Sequence, residues 1–143
     1  MTDTRPDALR RLDPLTGRWA VTVHIGDATM RGQVSFEWQE GLFLVARSTT
    51  EHAVVPDSVL MIGVDDTTEA CAVLYTDSRG VHRIYRMSVA DGVWRQWRDA
   101  PGFAQRFTGT FADGGDTINA AWEKCFDGTT WEHDFDMTYR RQG

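Results

Sequence analysis

The chain lacks any apolar run long enough to cross a membrane, and only two of its 143 residues are cysteine. The first absence excludes a helical anchor, and the polar start Met1-Thr2-Asp3-Thr4-Arg5 carries no leader or lipidation signal, so no membrane partner is expected. Cys71 and Cys125 fall on segments several strands apart, so no disulfide is expected and a reduced, cytoplasmic setting fits. Excess positive charge is also missing. A formal net charge of -6 argues against nucleic acid as a partner. The catalytic signatures are absent as well. The four histidines show no zinc-ligand spacing, no Gly-x-Ser-x-Gly elbow occurs, and neither cysteine has a base beside it. Gly114-Gly115 sits in a hairpin turn and is not a phosphate loop. Nothing nominates a reaction, so the expectation leans away from an enzyme.

What is present is aromatic residues and alternation. Six tryptophans and seven phenylalanines are generous for this length, and such residues line cores and ligand cavities alike. Charge is segregated: Arg79, Arg83, Arg86, Arg95, Arg98 and Arg106 occupy the middle of the chain, and Asp113 to Asp136 crowds acidic residues into its last hairpin. Two solvated faces of opposite sign account for that distribution. A chain of this length forms one domain, residues 1–143, with a real core.

One short helix is expected over 5–13. Thr4 and Asp7 have capping-box spacing, Pro6 suits a first turn, Leu9, Leu12 and Leu15 form one stripe, and Asp13-Pro14 ends it. Ten strands follow, at about 17–26, 29–39, 42–51, 58–65, 69–76, 81–90, 93–99, 103–112, 117–126 and 129–140. The fold class expected is all-β: a roughly ten-stranded antiparallel up-and-down β-barrel with a short N-terminal helix capping one end. A closed barrel has no free edges, so copies would associate as a homo-oligomer only through an outer-face patch.

Turn lengths fix which residues share a face. A two-residue Asp127-Gly128 turn sets Lys124 opposite Trp131, Trp122 opposite His133, Ala120 opposite Phe135 and Ile118 opposite Met137, all inward. Glu123, Glu132, Asp134 and Asp136 then face water. The Asp113–Asp116 loop puts Phe111 opposite Ile118, Phe107 opposite Trp122 and Gln105 opposite Lys124. An Asp27-Ala28 turn sets Trp19 against Phe36 and Val21 against Val34. A two-residue Asp91-Gly92 turn groups Val89, Met87 and Tyr85 with Trp94, Gln96 and Arg98, whereas a three-residue loop would bring in Val93, Arg95 and Trp97. Arg83 with Tyr85, or Tyr75 with His82, forms a further polar pair, and the longer apolar row favours Tyr85 inside.

The opening Gly17-Arg18-Trp19 after a short helix resembles the Gly-x-Trp start of lipocalins and their calycin relatives. Stretches such as Tyr75-Thr76-Asp77-Ser78-Arg79-Gly80 resemble bacterial lipocalin-like families of unknown function. The resemblance implies that Trp19 lies at the barrel base under a basic residue of the last strand, with Arg141 the first choice and Arg140 the second. Fatty-acid-binding barrels hold a carboxylate with Arg-x-Tyr on the last strand, and Met137-Thr138-Tyr139-Arg140-Arg141 lacks that motif. Nitrobindin-type haem barrels ligate iron with a histidine near the C-terminus. His133 matches that place, while Gly17-Arg18-Trp19-Ala20-Val21 lacks that family's second glycine.

The function expected is therefore binding of one small hydrophobic or amphipathic molecule, largely apolar with a polar or anionic end, inside the barrel. Trp122, Phe107, Phe135, Met137 and Trp131 are the expected walls, and His133, Gln105, Lys124 and Tyr85 the polar handles. His133 is also readable as a pocket or core histidine satisfied by a neighbour, and Lys124 as a rim residue reaching solvent. Two alternatives stand beside this: haem as cofactor with His133 as axial ligand, and a ligand-free interaction module with a packed interior.

Overall fold

Alternating apolar and polar residues between glycine- and aspartate-rich turns produce ten strands, and the computed structural model describes residues 5–51, 55–68 and 70–143. The strands are β1 Gly17–Ile25, β2 Ala28–Gln39, β3 Phe43–Thr50, β4 Ser58–Val64, β5 Cys71–Asp77, β6 His82–Ala90, β7 Val93–Arg98, β8 Ala104–Ala112, β9 Thr117–Cys125 and β10 Glu132–Gln142. Each pairs antiparallel with its sequence neighbour, and β1 also pairs with β10, closing the barrel. The all-β closed barrel read from the sequence is thus the fold. No helix among the described residues is long and apolar enough to cross a membrane. Cys71 and Cys125 are both free and buried.

The N-terminal helix is shorter than the leucine spacing suggests. α1 covers Asp7–Arg10, and a separate 3₁₀ turn covers Asp13–Leu15. Pro14 explains the break, since the residue before a proline is disfavoured in α conformation. Pro6 is the N-cap without a side-chain cap bond, and Thr4 of the expected capping box lies outside the described residues. The stripe still works: Leu9, Leu12 and Leu15 are buried and plug one end of the barrel.

Two hairpins have the expected register. Asp91 and Gly92 form a two-residue turn with φ of 55° and 75°, the left-handed pair of a type I′ turn, and Val89 faces Trp94 across it. Phe111, Phe107 and Gln105 face Ile118, Trp122 and Lys124 across β8 and β9. The first hairpin slips by two residues. It turns at Gly26-Asp27, setting Trp19 opposite Val34 and Val21 opposite Gly32. An even slip keeps each side chain on its face. Gly32 is required there, because a Cβ would run into the Thr49 carbonyl oxygen.

The last hairpin corrects the sequence reading. Asp127 Oδ1 accepts the Thr129 and Thr130 N–H groups at 2.8 and 2.7 Å, which spreads the connection over residues 126–131. Lys124 then faces Glu132, and His133 faces Glu123. A β-bulge between His133 and Phe135 restores the phase, so that Trp122 faces Phe135, Ala120 faces Met137 and Ile118 faces Tyr139. The bulge turns His133 outward and the rest of the strand inward. In the β5–β6 hairpin, Tyr75 faces Arg83, one residue off the Tyr75–His82 pairing, and Val73 faces Tyr85, so both tyrosines point inside. Outside, Met61, Leu74 and Ile84 lie in register across β4, β5 and β6 as an exposed apolar row.

Candidate functional site: the barrel interior

Trp19 is fully buried and donates its Nε1–H to the Leu15 carbonyl at 2.9 Å. Arg141, its direct neighbour on β10, stacks over the indole with its guanidinium carbon 4.2 Å from the ring centroid. The same guanidinium donates to the Thr16 and Pro14 carbonyls at 2.6 and 2.7 Å, tying the last strand to the plug. This end is sealed.

Above that seal the barrel is hollow. A cavity of about 410 Å³ runs from the aromatic floor to a mouth between Pro56, Arg79 and Phe103. Its size lies within the range of small-molecule sites. Alternation on β7 and β8 sends Trp94, Gln96, Gln105 and Phe107 inward. The Trp94 ring is held by Phe107 at 4.4 Å, Tyr139 at 5.6 Å and Phe36 at 5.9 Å between centroids. Phe107 continues to Trp122 at 5.1 Å, and Trp122 to Tyr85 at 5.9 Å. Val21, Val23, Val34 and Met137 line the opposite side. Tyr75, Arg83, Tyr85, Gln96 and Gln105 thus make the β5–β8 wall polar against the valines of β1 and β2, while β10 brings both kinds, Phe135 and Met137 beside Asp134 and Tyr139.

The polar wall is mostly neutral. Tyr85 donates to Gln105 Oε1 at 2.6 Å, and burial raises its hydroxyl pKa, with the Arg83 guanidinium acting against the rise. Tyr139 is raised by burial, and its hydroxyl points to Met137 sulfur at 3.7 Å. Charge appears at the mouth. Arg79 is neutralised by Asp77, whose fully covered carboxylate also accepts the Tyr75 hydroxyl at 2.7 Å. Hydrogen bonds from Arg79 hold Asp77 well below the usual carboxylate range, and burial raises Tyr75. Arg83 has no carboxylate partner among the described residues and lies over the Phe103 ring at 5.4 Å. Two atoms deeper in are unpartnered among the described residues: Trp94 Nε1 and Gln96 Oε1.

Of the residues nominated from sequence, Trp122, Gln105, Phe107, Phe135, Met137 and Tyr85 line this cavity. Three do not. His133 is on the outer face, its side chain 59% exposed, with Nε2 2.8 Å from Asp136 Oδ1. Trp131 also packs outside, under the Arg106 guanidinium at 4.1 Å, which is itself held by Glu123. Lys124 is at the rim with its ammonium 3.4 Å from Asp134, and Asp134, expected in water, lines the cavity instead. His24 and His82 are exposed, and His52 lies outside the described residues. The residue proposed as axial ligand therefore does not fit haem inside the barrel. Among the described residues no cluster of His, Cys, Asp or Glu could hold a metal ion. Sequence reasoning passed over Arg83 as an anchor and Trp94 and Gln96 as lining. Their inward phase was implied by the Asp91-Gly92 turn, and closure against β1–β3 supplied the other wall.

No protein-family model matches the chain, and no curated protein matches it. Among solved structures it is similar to the crystal structure of Rv2717c from M. tuberculosis, with a TM-score of 0.70 and 14% identity over 97% of this chain and 99% of that one. The likeness at this identity is one of fold.

Proposed function

We propose that the protein binds one small molecule within the barrel, largely apolar and with an anionic end held at the mouth by Arg83. The observation that carries this reading is a cavity of about 410 Å³ with aromatic walls and, at its opening, a guanidinium with no carboxylate partner among the described residues. A half-buried arginine with no carboxylate beside it among the described residues is a ready partner for a carboxylate or sulfonate, and charge-assisted hydrogen bonds are the stronger kind. Lys124 is a poorer anchor, because Asp134 already neutralises it.

Native mass spectrometry of freshly purified protein, set against the denatured mass, is expected to show an extra mass lost on denaturation. Calorimetric titration with 2-naphthoate should give saturable one-to-one binding. Arg83→Ala should weaken it at least tenfold, while Arg95→Ala, on the outer face of β7, should leave it unchanged. The absence of any saturable binding, or equal affinity in Arg83→Ala, overturns the reading.

A further inference from the structure

Two fully buried polar side-chain atoms on β7 have no partner among the described residues, and they are complementary in kind. Trp94 Nε1 carries a hydrogen to donate and Gln96 Oε1 can only accept, and neither has a partner among the described residues. Trp94 is 4% and Gln96 3% exposed, and both line the cavity. Leaving one such group unpaired costs about 1–3 kcal/mol. The neighbouring groups offer no relief, since the Tyr85 hydroxyl is committed to Gln105 and the Tyr139 hydroxyl points to Met137. Rotation of the indole is opposed by Phe36, Phe107 and Tyr139 packed around it.

The two residues lie two apart on β7, so both point inward and their backbones are separated by roughly 6.6 Å along the strand. A group that answers both must offer an acceptor to Trp94 and a donor to Gln96 on different atoms. It must also be neutral, because its surroundings are Phe36, Phe107 and Met87, and burying a charge there is costly. With the Gln96 amide oriented as it is, a carboxylate, which has acceptors alone, would meet Oε1 with a lone pair. A ketone or ester leaves Gln96 unpaired.

We propose that Trp94 and Gln96 form a donor–acceptor subsite at the cavity floor that reads the edge of a neutral carboxamide or lactam. The inference rests on the reading that the cavity holds a small molecule, and it adds a second recognition point at the end opposite Arg83. The ligand class that satisfies both ends is a flat, largely apolar molecule with an amide edge inside and an anionic group at the mouth.

The test uses isosteric probes on the intact protein. 2-Naphthamide and 2-acetylnaphthalene differ by an amino group in place of a methyl, and calorimetry should find the amide at least tenfold tighter. That preference should vanish in Trp94→Phe, which removes the N–H, and in Gln96→Met, which removes the acceptor while keeping the side-chain length. 2-Naphthylmethanol, with donor and acceptor on one oxygen, should bind no better than the ketone. Equal affinity for amide and ketone, a preference that survives both substitutions, or an alcohol that matches the amide overturns the subsite. Should 2-naphthoate still bind with Arg83 dependence, only the subsite falls. Failure of every probe overturns the cavity reading with it.

Discussion

Arg141 ties the last strand to the sealed end. Its guanidinium covers the Trp19 ring, donates to two carbonyls of the plug and meets Asp116 at 3.2 Å. Arg141→Ala should therefore destabilise the barrel by about 2–3 kcal/mol through the lost cation–π contact and charge-assisted bonds, read as a lower urea midpoint. Arg141→Lys should recover only part of this, because an ammonium cannot both stack flat and donate in two directions. His133 is the counter-case. Exposed and bonded to Asp136 on its own strand, it should tolerate alanine with a stability change within about 0.5 kcal/mol and no change in naphthoate affinity. A loss of binding in His133→Ala would return it to the site.

Hairpins decide which of these residues meet, and their legibility varied with the aspartates at the turns. Where Asp91 and Gly92 alone made the turn, the pairing followed from loop length, and Trp94 and Gln96 were inward as read. Where an aspartate side chain captured backbone N–H groups, the count failed. Asp127 holds Thr129 and Thr130, and Asp77 holds Arg79 and Val81 at 2.9 and 3.3 Å. Each capture lengthens or shifts the connection by one residue, and one residue exchanges the faces. The β10 bulge undoes that exchange after Asp134, which is why Phe135 and Met137 were placed correctly and His133 was not. No residue pattern marked the bulge; past it, Tyr139 faces Ile118 on β9 and Val21 on β1. The captured aspartates have a pH consequence. Asp77 and Asp127 titrate below their ordinary values when folded, so their stabilisation is complete above about pH 4–5 and is lost as pH falls through the lower folded values. A urea midpoint measured from pH 7 to pH 3 should hold and then drop, and Asp77→Asn should flatten part of the drop. A midpoint that rises on acidification would contradict this sign.

At the scale of the whole molecule, closure turns two unremarkable half-sheets into one asymmetric chamber. The β1–β3 half contributes valines, Phe36 and Ala46, while the β5–β8 half contributes tyrosines, glutamines and Arg83. Neither half shows this division in its own sequence, since each reads only as alternating strands. A packed barrel and a hollow one would have the same alternation and differ in the volume left at the axis. Ala46 discriminates between them: it is 1% exposed, yet it borders the cavity. In a packed interior Ala46→Leu would overfill the core and cost about 1–3 kcal/mol. In the hollow barrel the added isopropyl group extends into open space and buries apolar surface, so the urea midpoint should hold or rise. The same substitution takes volume from the ligand, so naphthoate affinity should fall at least tenfold. Stability kept while binding is lost assigns the space to a ligand; stability lost with no binding in either form assigns it to the core.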